Sequence, residues 1–417
     1  MNSIHIKGNG LLEGEVYVQG SKNAVLPILA ATILINGVCI IKNCPEISDV
    51  DCMLGLLRSL GCKADRDKEQ LVIDTSAISE SRLPGELVTC MRSSVMLLGP
   101  LLAVCKETTM NYPGGCVIGE RPIDIHLQVL GKMGASFILE KDSVKGRAPN
   151  LRGTCITLRF PSVGATENGI MAAVLAEGTT VLRNCAKEPE IRQLCDFLNK
   201  AGAKIYGVGE SELIIEGVKK LNPITYNIEP DRIVAGTYLL SVAATGGNAY
   251  IRNAPFEEMT AVIDVTRRLG CEVTRTTGGI LVKREGRLMP VPYIETMVHP
   301  GFPTDLQSVL IVALAVAEGE SIVEESIFSD RFKIVGELNR MGANITVNGN
   351  RVYIRGVKQL YGSDVAAADL RGGAALVLAG IMARGDTIVR NCHYIKRGYE
   401  DICRDYRMLG ACAVGIG

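Results

Sequence analysis

Four cations in this chain stand where a cation is out of place. Six Ala- and Leu-rich segments each begin with a charged or polar cluster: Ser21-Lys22-Asn23, Arg92-Ser93-Ser94, Ser162-Val163-Gly164-Ala165-Thr166, Asp231-Arg232, Thr304-Asp305 and Asp369-Leu370-Arg371. The near-continuous apolarity that follows each cluster predicts a helix buried on most sides. A helix N-terminus carries partial positive charge and free N–H groups, so it attracts anions and suits Asp or Ser as a cap. Lys22, Arg92, Arg232 and Arg371 disfavour the helix they open, which is understandable if a phosphate or carboxylate is held there. For Asp231 and Asp369, ordinary capping is an equally good account.

A second candidate lies in Pro113-Gly114-Gly115-Cys116-Val117-Ile118-Gly119-Glu120-Arg121-Pro122-Ile123-Asp124-Ile125-His126. Three glycines around one cysteine predict a loop with close backbone approach. Arg121 nearby favours the thiolate and lowers the thiol pKa from its usual ~8.5. The other cysteines lie in apolar runs, where they act as small hydrophobes; a passive loop cysteine is the competing account of Cys116. A third candidate is Lys396-Arg397-Gly398-Tyr399-Glu400. Arginine offers a planar fork for phosphate or carboxylate, but Arg397 alone reads as a surface charge.

Composition narrows the chemistry. The 417 residues have a formal net charge of zero, without the basic excess of a nucleic-acid binder. Fourteen cysteines without a Cys-x-x-Cys pair are expected to be free thiols in a reducing cytoplasm. Four scattered histidines give no metal-ligand spacing. No phosphate-binding G-x-x-x-x-G-K-[ST] loop and no G-x-G-x-x-G after a strand is present, so neither nucleotide hydrolysis nor dinucleotide binding is supported. The longest apolar run, Val95 to Cys105, is about half of the ~20 residues a membrane span needs. The first residues, Met1-Asn2-Ser3-Ile4-His5, lack signal-peptide character.

The elements that position these residues repeat. Leu60-Gly61-Cys62, Met133-Gly134-Ala135, Ala201-Gly202-Ala203, Leu269-Gly270-Cys271, Met341-Gly342-Ala343 and Leu409-Gly410-Ala411 recur about every 70 residues, longer than common solenoid units of ~20–50. Each copy reads as a polar loop, a buried helix such as Lys22 to Ile35 or Arg92 to Val104, and a short strand. A second, amphipathic helix ends at the Gly, and a hairpin closes the unit. The last copy stops after one strand. Ile4-His5-Ile6-Lys7-Gly8 matches Val352-Tyr353-Ile354-Arg355-Gly356, so the N-terminal strand is expected to complete it. The expected division is two α/β domains of three repeats each: residues 21–229, and residues 1–20 with 230–417.

With these motifs in order and in spacing, the whole chain resembles the UDP-N-acetylglucosamine 1-carboxyvinyltransferase (MurA) family of enolpyruvyl transferases. The likeness rests on Gly20-Ser21-Lys22-Asn23-Ala24, the Cys116 loop, Pro161 to Thr166, Pro303-Thr304-Asp305, Asp369-Leu370-Arg371 and Arg397-Gly398-Tyr399-Glu400. It implies a two-domain inside-out α/β barrel of six βαβαββ repeats. It implies transfer of enolpyruvyl from phosphoenolpyruvate to the 3-hydroxyl of UDP-N-acetylglucosamine, early in peptidoglycan synthesis. No metal or organic cofactor is implied. Lys22, Arg121 and Arg397 would hold phosphoenolpyruvate, with Arg371 at its carboxylate. Asn23, Arg92, Arg121, Pro122, Ile123, Asp124, Ile125, Ser162, Val163, Gly164, Asp305, Ile327 and Asp369 fall at positions for substrate contact. Asp305 would act as base on the sugar hydroxyl, and Cys116 would protonate the methylene carbon and be open to alkylation by fosfomycin. The sibling enzymes acting on shikimate 3-phosphate share the fold but lack such a cysteine loop. Small departures from the family pattern are Lys396 in place of Asp, the order His393-Tyr394, and Ser48 and Phe160 where some members have Lys.

Overall fold

Buried helices set the architecture of this chain. The computed structural model describes residues 2–67, 70–114 and 122–416. These fall into two units, residues 20–114 with 122–229 and residues 2–19 with 230–416. In the first unit the helices Lys22–Ala31, Leu98–Val104 and Val163–Ala173 form the centre. In the second, Arg232–Thr245, Gln307–Leu314 and Leu370–Met382 do the same. Each is enclosed by its fellow helices and a sheet, which is why its sequence is apolar all round. The sheets lie outside and alternate, with one face on the helices and one toward solvent, as in the strand Val38–Lys42.

Close approach of the central helices depends on missing side chains. A Cβ at Gly236 would lie 2.4 Å from Leu306 Cδ1, and one at Gly99 would lie 2.6 Å from the carbonyl oxygen of Asn168. The second repeat departs from the expected helix from Arg92 to Val104. Residues Arg92–Leu97 form a 3-10 helix, and the α-helix begins only at Leu98. Ser94 Oγ donates to the carbonyls of Val88 and Met91, both at 2.9 Å, which ties the segment to the preceding turn.

Five of the described sheets have four strands and one pattern, and a sixth has three. A parallel edge strand pairs with the strand after the buried helix, which pairs antiparallel with the closing hairpin. The edge strands were not legible. Cys155–Thr157, Thr225–Asn227 and Asp364–Ala366 have three residues each, too few to show alternation. The recurring glycines were legible: Gly61, Gly134, Gly202, Gly270, Gly342 and Gly410 all have φ between 86° and 106° at helix C-termini. Four asparagines share a second left-handed position after a strand: Asn43, Asn184, Asn253 and Asn391, φ 52° to 60°. Three of their side-chain amides donate to the carbonyl just past an edge strand, Asn43 to Ile228 (2.7 Å), Asn184 to Leu158 (2.9 Å) and Asn391 to Ala367 (3.3 Å).

The strand Ser3–Lys7 runs antiparallel between Asp386–Arg390 and Cys412–Ile416. The next strand, Leu12–Tyr17, is the parallel edge beside Gly247–Arg252, and Thr225–Asn227 is the edge beside Val38–Lys42. Where the chain leaves and re-enters the second unit, Asp231 N–H donates to Gln19 O at 2.9 Å. In the first unit, Ser21 N–H donates to Glu229 O, also at 2.9 Å. Ile4 and Ile6 are fully buried, and burial of such a side chain is worth ~1.5–3 kcal/mol. Deleting residues 1–10 is therefore expected to lower the melting temperature of the 230–417 unit by about 10 °C or more, at ~2–4 °C per kcal/mol. Calorimetry checks this; an unchanged transition overturns it.

Candidate active site

In the first unit, Lys22 opens its helix behind the cap Ser21, whose Oγ accepts from Ala24 N–H at 3.3 Å. The ammonium is not left against the positive helix end. It lies 3.0 Å from Asp49 Oδ2, and both side chains are nearly buried. Asp49 sits in the first turn of Ser48–Ser59, where the helix dipole favours a carboxylate. A charge unfavourable to one helix is thus balanced by one favourable to another. Asn23 follows in the same first turn. Arg92 Nη2 donates to the carbonyl of Pro122 at 3.2 Å. Ile123 is buried and precedes the helix Asp124–Lys132, which also carries Ile125, and Asp124 is ion-paired with Arg159. Ser162 caps Val163–Ala173, accepting from Ala165 N–H at 3.4 Å. A Cβ at Gly164 would lie 3.0 Å from the ring of His126, so glycine lets that turn sit on the histidine without displacing the ring. His126 is a buried core residue, hydrogen-bonded through Nδ1 to Asn168 at 2.9 Å. Cys116 and Arg121 lie outside the described residues.

In the second unit, Asp305 lies in the 3-10 turn Thr304–Leu306. Its Oδ1 accepts from Arg331 Nη2 at 2.5 Å and its Oδ2 from Arg371 Nη2 at 3.0 Å. The two arginine side chains are only 5% and 4% exposed. The Nε of each is buried and has no hydrogen-bond partner among the described residues. Burial disfavours the Arg371 charge, but Asp305, Tyr399 and Asp231 together outweigh it and raise the guanidinium pKa. The backbone of Arg371 is set by Asp369, whose Oδ1 accepts from Arg371 N–H and Gly372 N–H, both at 2.9 Å. Its guanidinium also reaches Tyr399 Oη at 3.5 Å, and Thr237 Oγ1 is 2.8 Å beyond. Asp369 is therefore a helix cap in this structure, as is Asp231, whose Oδ1 accepts from Ile233 and Val234 N–H. Arg397 ends the 3-10 turn Cys392–Arg397 that follows Asn391.

Sequence reasoning missed Arg331 and Glu325. Glu325 is buried; its Oε2 accepts from Thr304 Oγ1 (2.8 Å) and its Oε1 from the N–H groups of Ile327 (2.9 Å) and Phe328 (3.1 Å). It thereby ties the turn of Asp305 to the loop carrying Ile327 and Arg331. Within Ser329-Asp330-Arg331 the arginine reads as solvated. Repeat register was the available signal: Arg331 lies six positions after Glu325, as Arg397 lies six after Asn391 and Asp49 six after Asn43.

Comparison with known proteins accords with this arrangement. The chain is 46% identical over 416 residues, spanning 100% of both chains, to UDP-N-acetylglucosamine 1-carboxyvinyltransferase 2 of Caldanaerobacter subterraneus subsp. tengcongensis. It is 44% identical to UDP-N-acetylglucosamine 1-carboxyvinyltransferase of Solidesulfovibrio magneticus, over 99% of each. The chain belongs to the UDP-N-acetylglucosamine 1-carboxyvinyltransferase family. Residues 6–405 also match the broader family model described as EPSP synthase (3-phosphoshikimate 1-carboxyvinyltransferase). Among solved structures, the enolpyruvyl transferase NikO from Streptomyces tendae superposes with a TM-score of 0.89 at 25% identity, covering 99% of this chain and 98% of that one. The α/β fold of the 1-carboxyvinyltransferase family is the one described above.

Two features of this family member were not anticipated. Cys90, Cys155 and Cys412 are exposed, so the expectation that cysteines other than Cys116 are all embedded in apolar surroundings is corrected. Their neighbours in sequence are apolar, but Cys155 and Cys412 occupy outward positions of strands. Cys39, Cys62 and Cys271 are buried, and burial pushes each thiol up to about 11. The second feature is Glu167, fully buried on Val163–Ala173, with neither carboxyl oxygen hydrogen-bonded among the described residues. Burial, then Glu190 and Glu188, hold its pKa well above the usual carboxylate range, so it is protonated.

A carboxyl with a raised folded-state pKa contributes its full stability below the unfolded pKa of ~4.3 and loses it as pH rises through the folded value. Glu167→Gln is accordingly expected to melt near wild type at pH 4 and a few degrees above it by pH 8. A thermal-shift series over pH 4–9 checks the sign, and a constant difference overturns it. Among the described residues no cluster of three His, Cys, Asp or Glu side chains is arranged to hold a metal ion. No helix among them is long and apolar enough to cross a membrane.

Proposed function

We propose that this chain transfers the enolpyruvyl group of phosphoenolpyruvate to the 3-hydroxyl of UDP-N-acetylglucosamine and releases phosphate, in the cytoplasm, as the first committed step of peptidoglycan synthesis. The observation that carries the reading is the pair of buried guanidiniums on Asp305, each with an Nε–H that has no partner among the described residues. A planar carboxylate with two acceptor oxygens is the group that such forks bind best. The full-length relatives carry the corresponding activity in their names. The two units described above serve as the two domains of the enzyme.

In this reading the phosphoenolpyruvate carboxylate takes up Arg331 and Arg371. Lys22, Arg121 and Arg397 hold its phosphate through charge-assisted bonds of ~1.5–3 kcal/mol each. Asn23, Arg92, the segment from Pro122 to Ile125, the turn from Ser162 to Gly164, and Ile327 receive the UDP-sugar. While both of its oxygens accept from arginine, Asp305 is a weak base. A substrate carboxylate that draws the forks to itself makes Asp305 a stronger base toward the proton of the sugar hydroxyl. The hydroxyl oxygen then bonds to C2 of phosphoenolpyruvate, and the Cys116 thiol gives its proton to C3, forming a phosphate-bearing tetrahedral intermediate. Return of a C3 proton to the thiolate restores the double bond as the C2–O bond to phosphate breaks. The departing phosphate takes the proton held by Asp305.

The test is phosphate release from phosphoenolpyruvate with either UDP-N-acetylglucosamine or shikimate 3-phosphate as acceptor. Release with the nucleotide sugar is expected. Release only with the shikimate compound assigns the chain to the other branch of the fold, and release with neither overturns an enzymatic role. Intact-mass analysis after fosfomycin treatment is expected to show one adduct, absent from Cys116→Asp.

A further inference from the structure

The turn that follows Arg397 is bonded to a residue near the other end of the chain. Gln19 is 8% exposed and is the last residue of its segment before the chain leaves the second unit. Its side-chain amide spans the turn after Arg397. Gln19 Nε2 donates to the carbonyl of Gly398 at 3.2 Å, and Gln19 Oε1 accepts from Glu400 N–H at 2.9 Å. These two bonds flank Tyr399, which is buried and held by Thr237 at 2.8 Å. Thr237 lies on the helix Arg232–Thr245, and the residue before that helix, Asp231, donates its N–H to the carbonyl of Gln19 at 2.9 Å. Gln19, Asp231, the helix, Thr237 and Tyr399 thus close a ring of contacts around the backbone that carries Arg397.

We propose that Gln19 is a positioning residue for Arg397, and through it for the phosphate of phosphoenolpyruvate. This rests on the function proposed above. An amide is the side chain the site requires, because one end must donate and the other accept. Glutamate keeps the acceptor for Glu400 N–H but turns a lone pair toward the Gly398 carbonyl. Leucine keeps the volume and removes both of the bonds that Gln19 makes to this turn.

The experiment is steady-state kinetics of Gln19→Leu and Gln19→Glu in the full chain, varying each substrate in turn, with melting temperatures measured alongside. The expected result is a rise of about tenfold in the KM for phosphoenolpyruvate, with the KM for UDP-N-acetylglucosamine within twofold of wild type. In an Arg397→Ala background, Gln19→Leu is expected to add no further rise, because the residue it positions is gone. Equal changes in both KM values, or an undiminished effect without Arg397, overturn the proposal in favour of a merely structural role. If Gln19→Leu does not fold, Gln19→Glu decides by the same criteria. A wild-type chain inactive with both substrates refutes the proposed function instead, so the two failures are told apart.

Discussion

Asp305→Asn is expected to cut the turnover number by ~10²–10⁴-fold, the contribution typical of a positioned proton acceptor. The substitution is nearly isosteric, so the turn Thr304–Leu306 keeps its shape. What changes is the pairing. An amide offers one acceptor and one donor to two guanidiniums that both donate. One of Arg331 and Arg371 is then left facing an N–H, and both lose their compensating charge in a buried site. Two uncompensated buried cations attract an anion more strongly, so the KM for phosphoenolpyruvate is expected to stay level or fall while turnover collapses. A substitution that only loosened the fold would raise that KM. Initial-rate phosphate release with either substrate varied separates the two outcomes, and a turnover within tenfold of wild type refutes the base role.

Arg331→Met is expected to act in the opposite sense on binding. In the proposed function it removes one of the two forks for the substrate carboxylate, and the loss of charge-assisted bonds of ~1.5–3 kcal/mol corresponds to a rise of about 10–150-fold in the KM for phosphoenolpyruvate. Stability is expected to change little, since Asp305 retains Arg371 and a buried charge has been exchanged for an apolar chain of similar length. Arg331→Lys should not restore binding, because a point charge cannot replace a planar fork. Calorimetric titration with phosphoenolpyruvate in the presence of UDP-N-acetylglucosamine reports the affinity directly. Near-normal binding by the Met variant would mean that Arg331 serves Asp305 alone.

Legibility in the sequence followed the range of the interaction. The buried helices announced themselves because enclosure on all sides leaves an apolar run, and the capping glycines because only one backbone conformation serves them. Lys22 was visible as a charge in the wrong place, but its partner Asp49 was not. That pairing exists only once Ser48–Ser59 is folded against Lys22–Ala31. Arg331, Glu325 and Gln19 were hidden for the same reason. Arg331 reaches Asp305 26 positions away, Glu325 reaches Thr304 21 positions away and Gln19 reaches Glu400 381 positions away. The three-residue edge strands left no pattern because a strand that short takes its identity from the strand it joins.

The crossing segments make the chain open to dissection. In the repeats that begin at Cys155, Tyr293 and Asp364, the edge strand directly precedes its own helix. Residues 20–229 instead supply their edge strand last, at Thr225–Asn227, and they interrupt another repeat between its strand Leu12–Tyr17 and its helix Arg232–Thr245. Residues 20–229 are in this sense a guest segment lying within a host repeat. Both cut points are already sutured by a backbone hydrogen bond, Asp231 to Gln19 in the host and Ser21 to Glu229 in the guest. A short splice from Gln19 to Asp231 would therefore leave an uninterrupted three-repeat host, and the excised guest would have termini near enough to be joined to each other.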